Sequence, residues 1–137
     1  MAIALMSQFD IDNKDMNQIF EDACELSNYD CDGVEQPIVR RSSQLESTDM
    51  YGLYIGGKIL WVGSKLMPLR AHLTMFHEVV HYLQVNVGGT DLSFINDTGI
   101  CVVEREAMQL TNTYARMKKM PKAYIRTVEE WKEIYGC

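Results

Sequence analysis

The chain lacks several things, and each absence narrows what it can be. No run of residues approaches the about 20 consecutive apolar positions of a membrane span. No CxxC pair occurs among the four cysteines Cys24, Cys31, Cys101 and Cys137, and no histidine accompanies them at finger-like spacing, so neither a structural zinc finger nor a redox motif is expected. Free thiols in a reducing compartment are the expectation. The apolar opening from Met1 to Met6 is short, has no basic residue before it, and runs into Asp10 and Asp12, so it does not read as a signal peptide. Together these features predict a cytoplasmic protein.

Positive charge is also scarce. Thirteen basic side chains stand against nineteen acidic ones, a net charge of -6 that argues against a surface built to neutralise phosphates or anionic lipid. Nucleic acid and membrane are therefore not expected partners. The basic cluster from Arg116 to Lys119 falls where a helix should end, and cations there complement the exposed carbonyls of the last turn.

What the chain does have is the composition of a packed domain. With 137 residues, 47% hydrophobic and 23% charged, it can bury one core, and a single domain over residues 1–137 is expected. Met16, Ile19, Phe20, Ala23 and Leu26 recur at helical spacing, predicting a first helix from Asp12 or Asn13 to about Asn28. Pro37 to Arg40 reads as a short edge strand. Tyr51 to Ile55 and Lys58 to Val62 are β-prone runs on either side of Gly56-Gly57, which predicts a two-residue hairpin turn. Pro68 suits the first position of a second helix, whose apolar stripe runs from Leu69 to Val87 and which Gly88-Gly89 ends. A third helix is marked from Ile100 to Met117. A fourth has Tyr124, Val128, Trp131 and Tyr135 on its inward face. The order predicts an α+β fold in which helices dominate.

The second helix carries His77-Glu78-Val79-Val80-His81, an HExxH pattern. Residues four apart share a helix face, so both imidazoles can reach one ion, while Glu78 stands where it can take a proton without ligating. The two histidines are about 100° off the centre of the apolar stripe and should border the core. His72 projects nearly opposite His81 and is expected to face solvent.

A catalytic zinc commonly takes three protein ligands and leaves one position open. The third is not a histidine six residues after His81, because position 87 is Val87 and position 84 is Gln84. Carboxylates remain: Asp91, in Gly89-Thr90-Asp91, and Glu104 or Glu106 on the third helix. Glu104 and Glu106 flank that helix's apolar stripe on opposite sides, and periodicity does not separate them.

The HExxH segment, preceded by Leu73 to Phe76 and followed by Glu104-Arg105-Glu106-Ala107 and Met120-Pro121, resembles the ImmA/IrrE-type metallopeptidases. It departs from their pattern at Val79 and Val80, where a small residue and a glycine are usual. The resemblance spans about residues 54–121 and implies a minimal zincin-like domain, with four helices and a small sheet containing a β-hairpin. It also implies one Zn2+ ion held by His77, His81 and Glu104, with Glu78 as the catalytic base and a specific peptide or protein as substrate. The oxyanion donor stays open among Tyr51, Tyr54, Tyr82 and Tyr114. A fourth protein ligand, such as Asp91, would instead make the site structural and the chain a zinc-stabilised binding module.

Overall fold

The computed structural model describes residues 2–45, 50–92 and 96–137, with backbone alone for residues 2–12. The architecture is α+β: α1 (Ala2–Ser27), β1 (Ile38–Ser42), β2 (Gly52–Leu53), β3 (Ile59–Gly63), α2 (Pro68–Asn86), α3 (Asp97–Met117), a 3-10 turn (Lys122–Tyr124) and α4 (Val128–Tyr135). The three strands form a mixed sheet in the order β1-β3-β2. β1 runs parallel to β3, with Ile38 opposite Ile59, and is an edge strand as its proline-led sequence predicts.

The helices end where their sequences dictate. Pro68 opens α2 at a position whose N–H would have no intrahelical partner. After Val87 the chain turns through Gly89 at φ 74°, and Thr90 N–H reaches back to the Gln84 carbonyl at 2.9 Å. Asn96 caps α3 by accepting from Gly99 N–H at 2.8 Å, and Thr127 caps α4 by accepting from Glu130 N–H at 3.1 Å. Lys118 and Lys119 stand at the end of α3, as expected of a basic helix terminus, and Lys118 also pairs with Asp22 of α1 at 3.3 Å.

α2 is the centre of the molecule. Phe76, Val79, Val80 and Leu83 are fully buried between Met16 and Ile19 of α1, Leu60 and Val62 of β3, and Tyr114 and Ala115 of α3. A helix covered on most of its faces keeps one stripe for polar work. On α2 that stripe is Arg70, Thr74, His77, Glu78 and His81, spaced by four, three, one and three residues.

Several expectations are corrected here. α1 starts at Ala2, well before Asp12. The hairpin exists, but Leu53 pairs with Trp61, so its connection is longer than the Gly56-Gly57 turn; both glycines have positive φ within that wider loop. α4 begins only at Val128, whose side chain is 52% exposed, while Trp131 carries the helix's buried contact. The cysteines are not free: Cys24 bonds to Cys31, and Cys101 to Cys137, with Cα separations of 6.1 and 5.9 Å. One bridge closes the loop after α1, and the other ties Cys137, just after α4, to the N-terminal part of α3. Paired cysteines remove the thiol-based argument for a reducing compartment, because disulfides persist where the surroundings are oxidising. No helix among the described residues is long and apolar enough to cross a membrane.

His72 is corrected as well. It does not face solvent but stacks on Tyr114, ring centroids 5.7 Å apart, with Nε2 2.5 Å from the Tyr114 hydroxyl. Burial pushes this imidazole below its ordinary pKa, and Lys118 adds to the shift, while Asp15 and Asp22 oppose it. The unfolded chain then binds a proton more readily than the folded one, so His72 stabilises less as pH falls below about 6.5. In denaturant titrations over that window, His72→Gln should lose less stability on acidification than wild type. Parallel losses would contradict a neutral, half-buried His72.

Candidate metal centre

Donor atoms of three side chains meet between α2 and α3. His77 Nε2 and His81 Nε2 are 3.1 Å apart, and the Glu104 carboxylate places Oε2 3.1 Å from the first and Oε1 2.9 Å from the second. Two imidazole–zinc bonds of about 2.0–2.1 Å at a tetrahedral angle would separate their nitrogens by about 3.3 Å. The observed triangle is within a few tenths of an ångström of that spacing, and its donor set of two imidazoles and one carboxylate suits zinc. Glu78 is buried beside them, and the ligand atoms of His77, Glu78 and His81 lie within 4.8 Å of one another.

The two glutamates of α3 separate cleanly. Glu104 turns to the histidines; Glu106 accepts from Tyr29 O–H at 2.7 Å and from Gln84 Nε2 at 3.0 Å. Gln84 Nε2 also donates to the Val103 carbonyl at 3.0 Å, so its amide oxygen is left to face His81 Nδ1 at 2.8 Å. A carbonyl oxygen accepts only, which places a proton on His81 Nδ1 and makes Nε2 the atom that faces the centre, where it donates to Glu104 when protonated and offers its lone pair to a metal when neutral. His77 has a looser support. Thr111 donates its hydroxyl to the Ala107 carbonyl, and its oxygen lies 3.5 Å from His77 Nδ1.

The charges are strongly coupled. Burial alone would raise the Glu104 carboxyl, but hydrogen bonds from His77 and His81 outweigh it and hold the group far below the usual carboxylate range. Burial alone would lower His81, yet the hydrogen bond to Glu104 and the charge of Glu78 leave it raised. Glu78 is pushed up, chiefly by burial, with partial relief from the two histidines.

The centre opens into a cavity of about 300 Å³. β2 forms one wall, lying so close to α2 that a Cβ on Gly52 would sit 2.5 Å from Thr74 Cγ2 and 3.0 Å from Glu78 Cγ. Only glycine permits that approach. The lining also includes Tyr135 of α4, whose phenol interacts with the Glu104 carboxylate and is raised first by burial and then by that acid.

Of the candidate residues, the structure brings together His77, Glu78, His81 and Glu104. Asp91 is exposed and outside the cavity lining. Three of the four candidate phenols are engaged elsewhere: Tyr54 donates to the Gly57 carbonyl, Tyr82 to that of Glu35, and Tyr114 contacts His72. Tyr51 lines the cavity. Gln84, Tyr29 and Tyr135 escaped sequence reasoning as site residues, and Glu106, weighed there as a ligand, instead supports Gln84. Gln84 alone carried a local signal, one helical turn after His81. No protein-family model, curated protein or solved structure matches this chain.

Removing the Gln84 support should weaken zinc binding about 10- to 100-fold in competition with a chelating dye, as loss of a partner orienting a histidine ligand does. Gln84→Ala tests this, with Thr111→Val expected to change much less because its contact is long. Equal, unmoved affinities would exclude the relay from Tyr29 through Glu106 and Gln84 to His81.

Proposed function

We propose that the protein is a zinc-dependent metallopeptidase that hydrolyses a peptide bond in a specific protein substrate. The observation that carries this reading is the triangle of His77, His81 and Glu104 donors on the cavity wall, with Glu78 buried beside it. When bound, zinc supplies Lewis acidity that makes a water easier to deprotonate and a carbonyl easier to attack.

The chain's own groups divide the remaining work. Glu78 takes the proton from the attacking water; the water oxygen adds to the carbonyl carbon, and Glu78 returns the proton to the amine as the C–N bond breaks. Tyr135 places a protonated phenol at the edge of the centre, where it can donate to the carbonyl oxygen as charge develops. Among the described residues β2 is an edge of the sheet, so one side of its backbone is available to an extended peptide. A cavity of about 300 Å³ holds only a few side chains, which favours selective cleavage over broad digestion. A purely structural zinc would normally be closed by a fourth protein ligand, and the exposed Asp91 does not supply one to this cavity.

Glu78→Gln keeps the shape and the metal-binding residues but removes the base. It should retain zinc and lose cleavage of a proteome-derived peptide mixture by at least about 100-fold. Cleavage at the wild-type rate by the zinc-loaded variant would overturn the mechanism.

A further inference from the structure

Besides the candidate metal centre, the cavity holds two arginines. Arg70 of α2 packs its guanidinium over Tyr51 at 5.2 Å from the ring centroid and over Tyr124 at 4.6 Å. Arg126 approaches the same Tyr51 ring at 5.9 Å. Its main chain is clamped by the buried Asn112 of α3, which accepts from Arg126 N–H at 3.0 Å and donates to the Arg126 carbonyl at 2.8 Å. All five residues line the cavity.

Neither arginine forms an ion pair with a carboxylate among the described residues. That is a marked choice in a chain with nineteen acids and a net charge of -6. Two like charges gathered on one aromatic ring repel each other, and aromatic faces stabilise cations without satisfying their hydrogen-bond donors. The guanidinium forks are therefore oriented by the rings and have no protein acceptor among the described residues, the condition of a site prepared for a planar anion.

We infer that Arg70 and Arg126, mounted on Tyr51 and Tyr124, form a subsite that binds a carboxylate of the peptide substrate. The inference rests on the peptidase reading for its substrate class. Arg70 precedes His77 by seven residues on one face of α2, a rise of about 10 Å. An extended peptide covers that distance in about three residues. The recognised carboxylate therefore lies within about three residues of the scissile bond. It is either an acidic side chain or the free C-terminus of a chain being trimmed.

The test uses short, C-terminally amidated, fluorescently labelled peptides in which one aspartate is walked through an otherwise uncharged sequence, plus the uncharged sequence with a free C-terminus. Binding to zinc-loaded Glu78→Gln protein is followed by anisotropy. One aspartate position, or the free terminus, should bind at least about tenfold more tightly than the uncharged amide. The preference should fall with rising salt and disappear in the Arg70→Gln/Arg126→Gln pair, with thermal melts showing that the pair still folds. The two arms tell an internal acid from a chain terminus. Equal binding of all peptides, a salt-insensitive preference, or a preference that survives the double substitution overturns the subsite. Cleavage of a peptide mixture by wild type without acids or termini near the cut overturns it too, while leaving the peptidase reading intact. Arginine-dependent carboxylate binding with no cleavage by wild type supports the subsite and removes the peptidase reading instead.

Discussion

Two imidazoles and one carboxylate, all largely withdrawn from water, have to satisfy one another between α2 and α3. Burying such groups without partners is costly, and here each of the three has the other two within about 3 Å. The constraint fixes the register of the two helices, because Glu104 reaches both Nε2 atoms only if it stands opposite the His77–His81 turn. Everything around the centre follows from keeping that register. Gln84 and Glu106 tie the next turns of α2 and α3 together, and Tyr29 extends the tie into the loop closed by the Cys24–Cys31 bond.

α2 meets two demands at once. Most of its surface packs against α1, β3 and α3, yet the remaining stripe must carry a cation, two imidazoles and an acid to one cavity. Helical periodicity reconciles them, since Arg70, Thr74, His77, Glu78 and His81 fall on one side while Phe76, Val79, Val80 and Leu83 fall on the others. Gly52 lets β2 cover this stripe without displacing Thr74 or Glu78. Tyr135 closes it from α4, which the Cys101–Cys137 bond holds to the start of α3.

Much of this was legible in the sequence because it depends on local spacing. The HExxH pair, the amphipathic frame of α2 and α3, Pro68 at a helix start and β1 at an edge all follow from neighbours within a few residues. What was not legible depends on contacts between distant segments. Nothing near Glu104 or Glu106 says which will meet the histidines; that is decided by Gln84 and Tyr29, which claim Glu106. His72 looked exposed because its partner, Tyr114, lies on another helix. The cysteine pairs are separated by 7 and 36 residues and show no motif, so only the fold brings their sulfurs together. The Gly56-Gly57 dipeptide misled for a related reason: the register of β2 on β3 is set by side-chain packing, which placed Leu53 rather than Ile55 on the ladder.

The central claim is that α2 and α3 hold one zinc ion by three protein ligands with a position left open. X-ray absorption at the zinc edge, on purified wild-type protein quantified for metal, tests this most directly. The account predicts about one zinc per chain, bound by two imidazoles, one carboxylate and a further light oxygen scatterer at about 2.0–2.2 Å, with the metal lost from Glu104→Ala. Protein that takes up no zinc, a shell with sulfur ligands, or full occupancy in Glu104→Ala would contradict it.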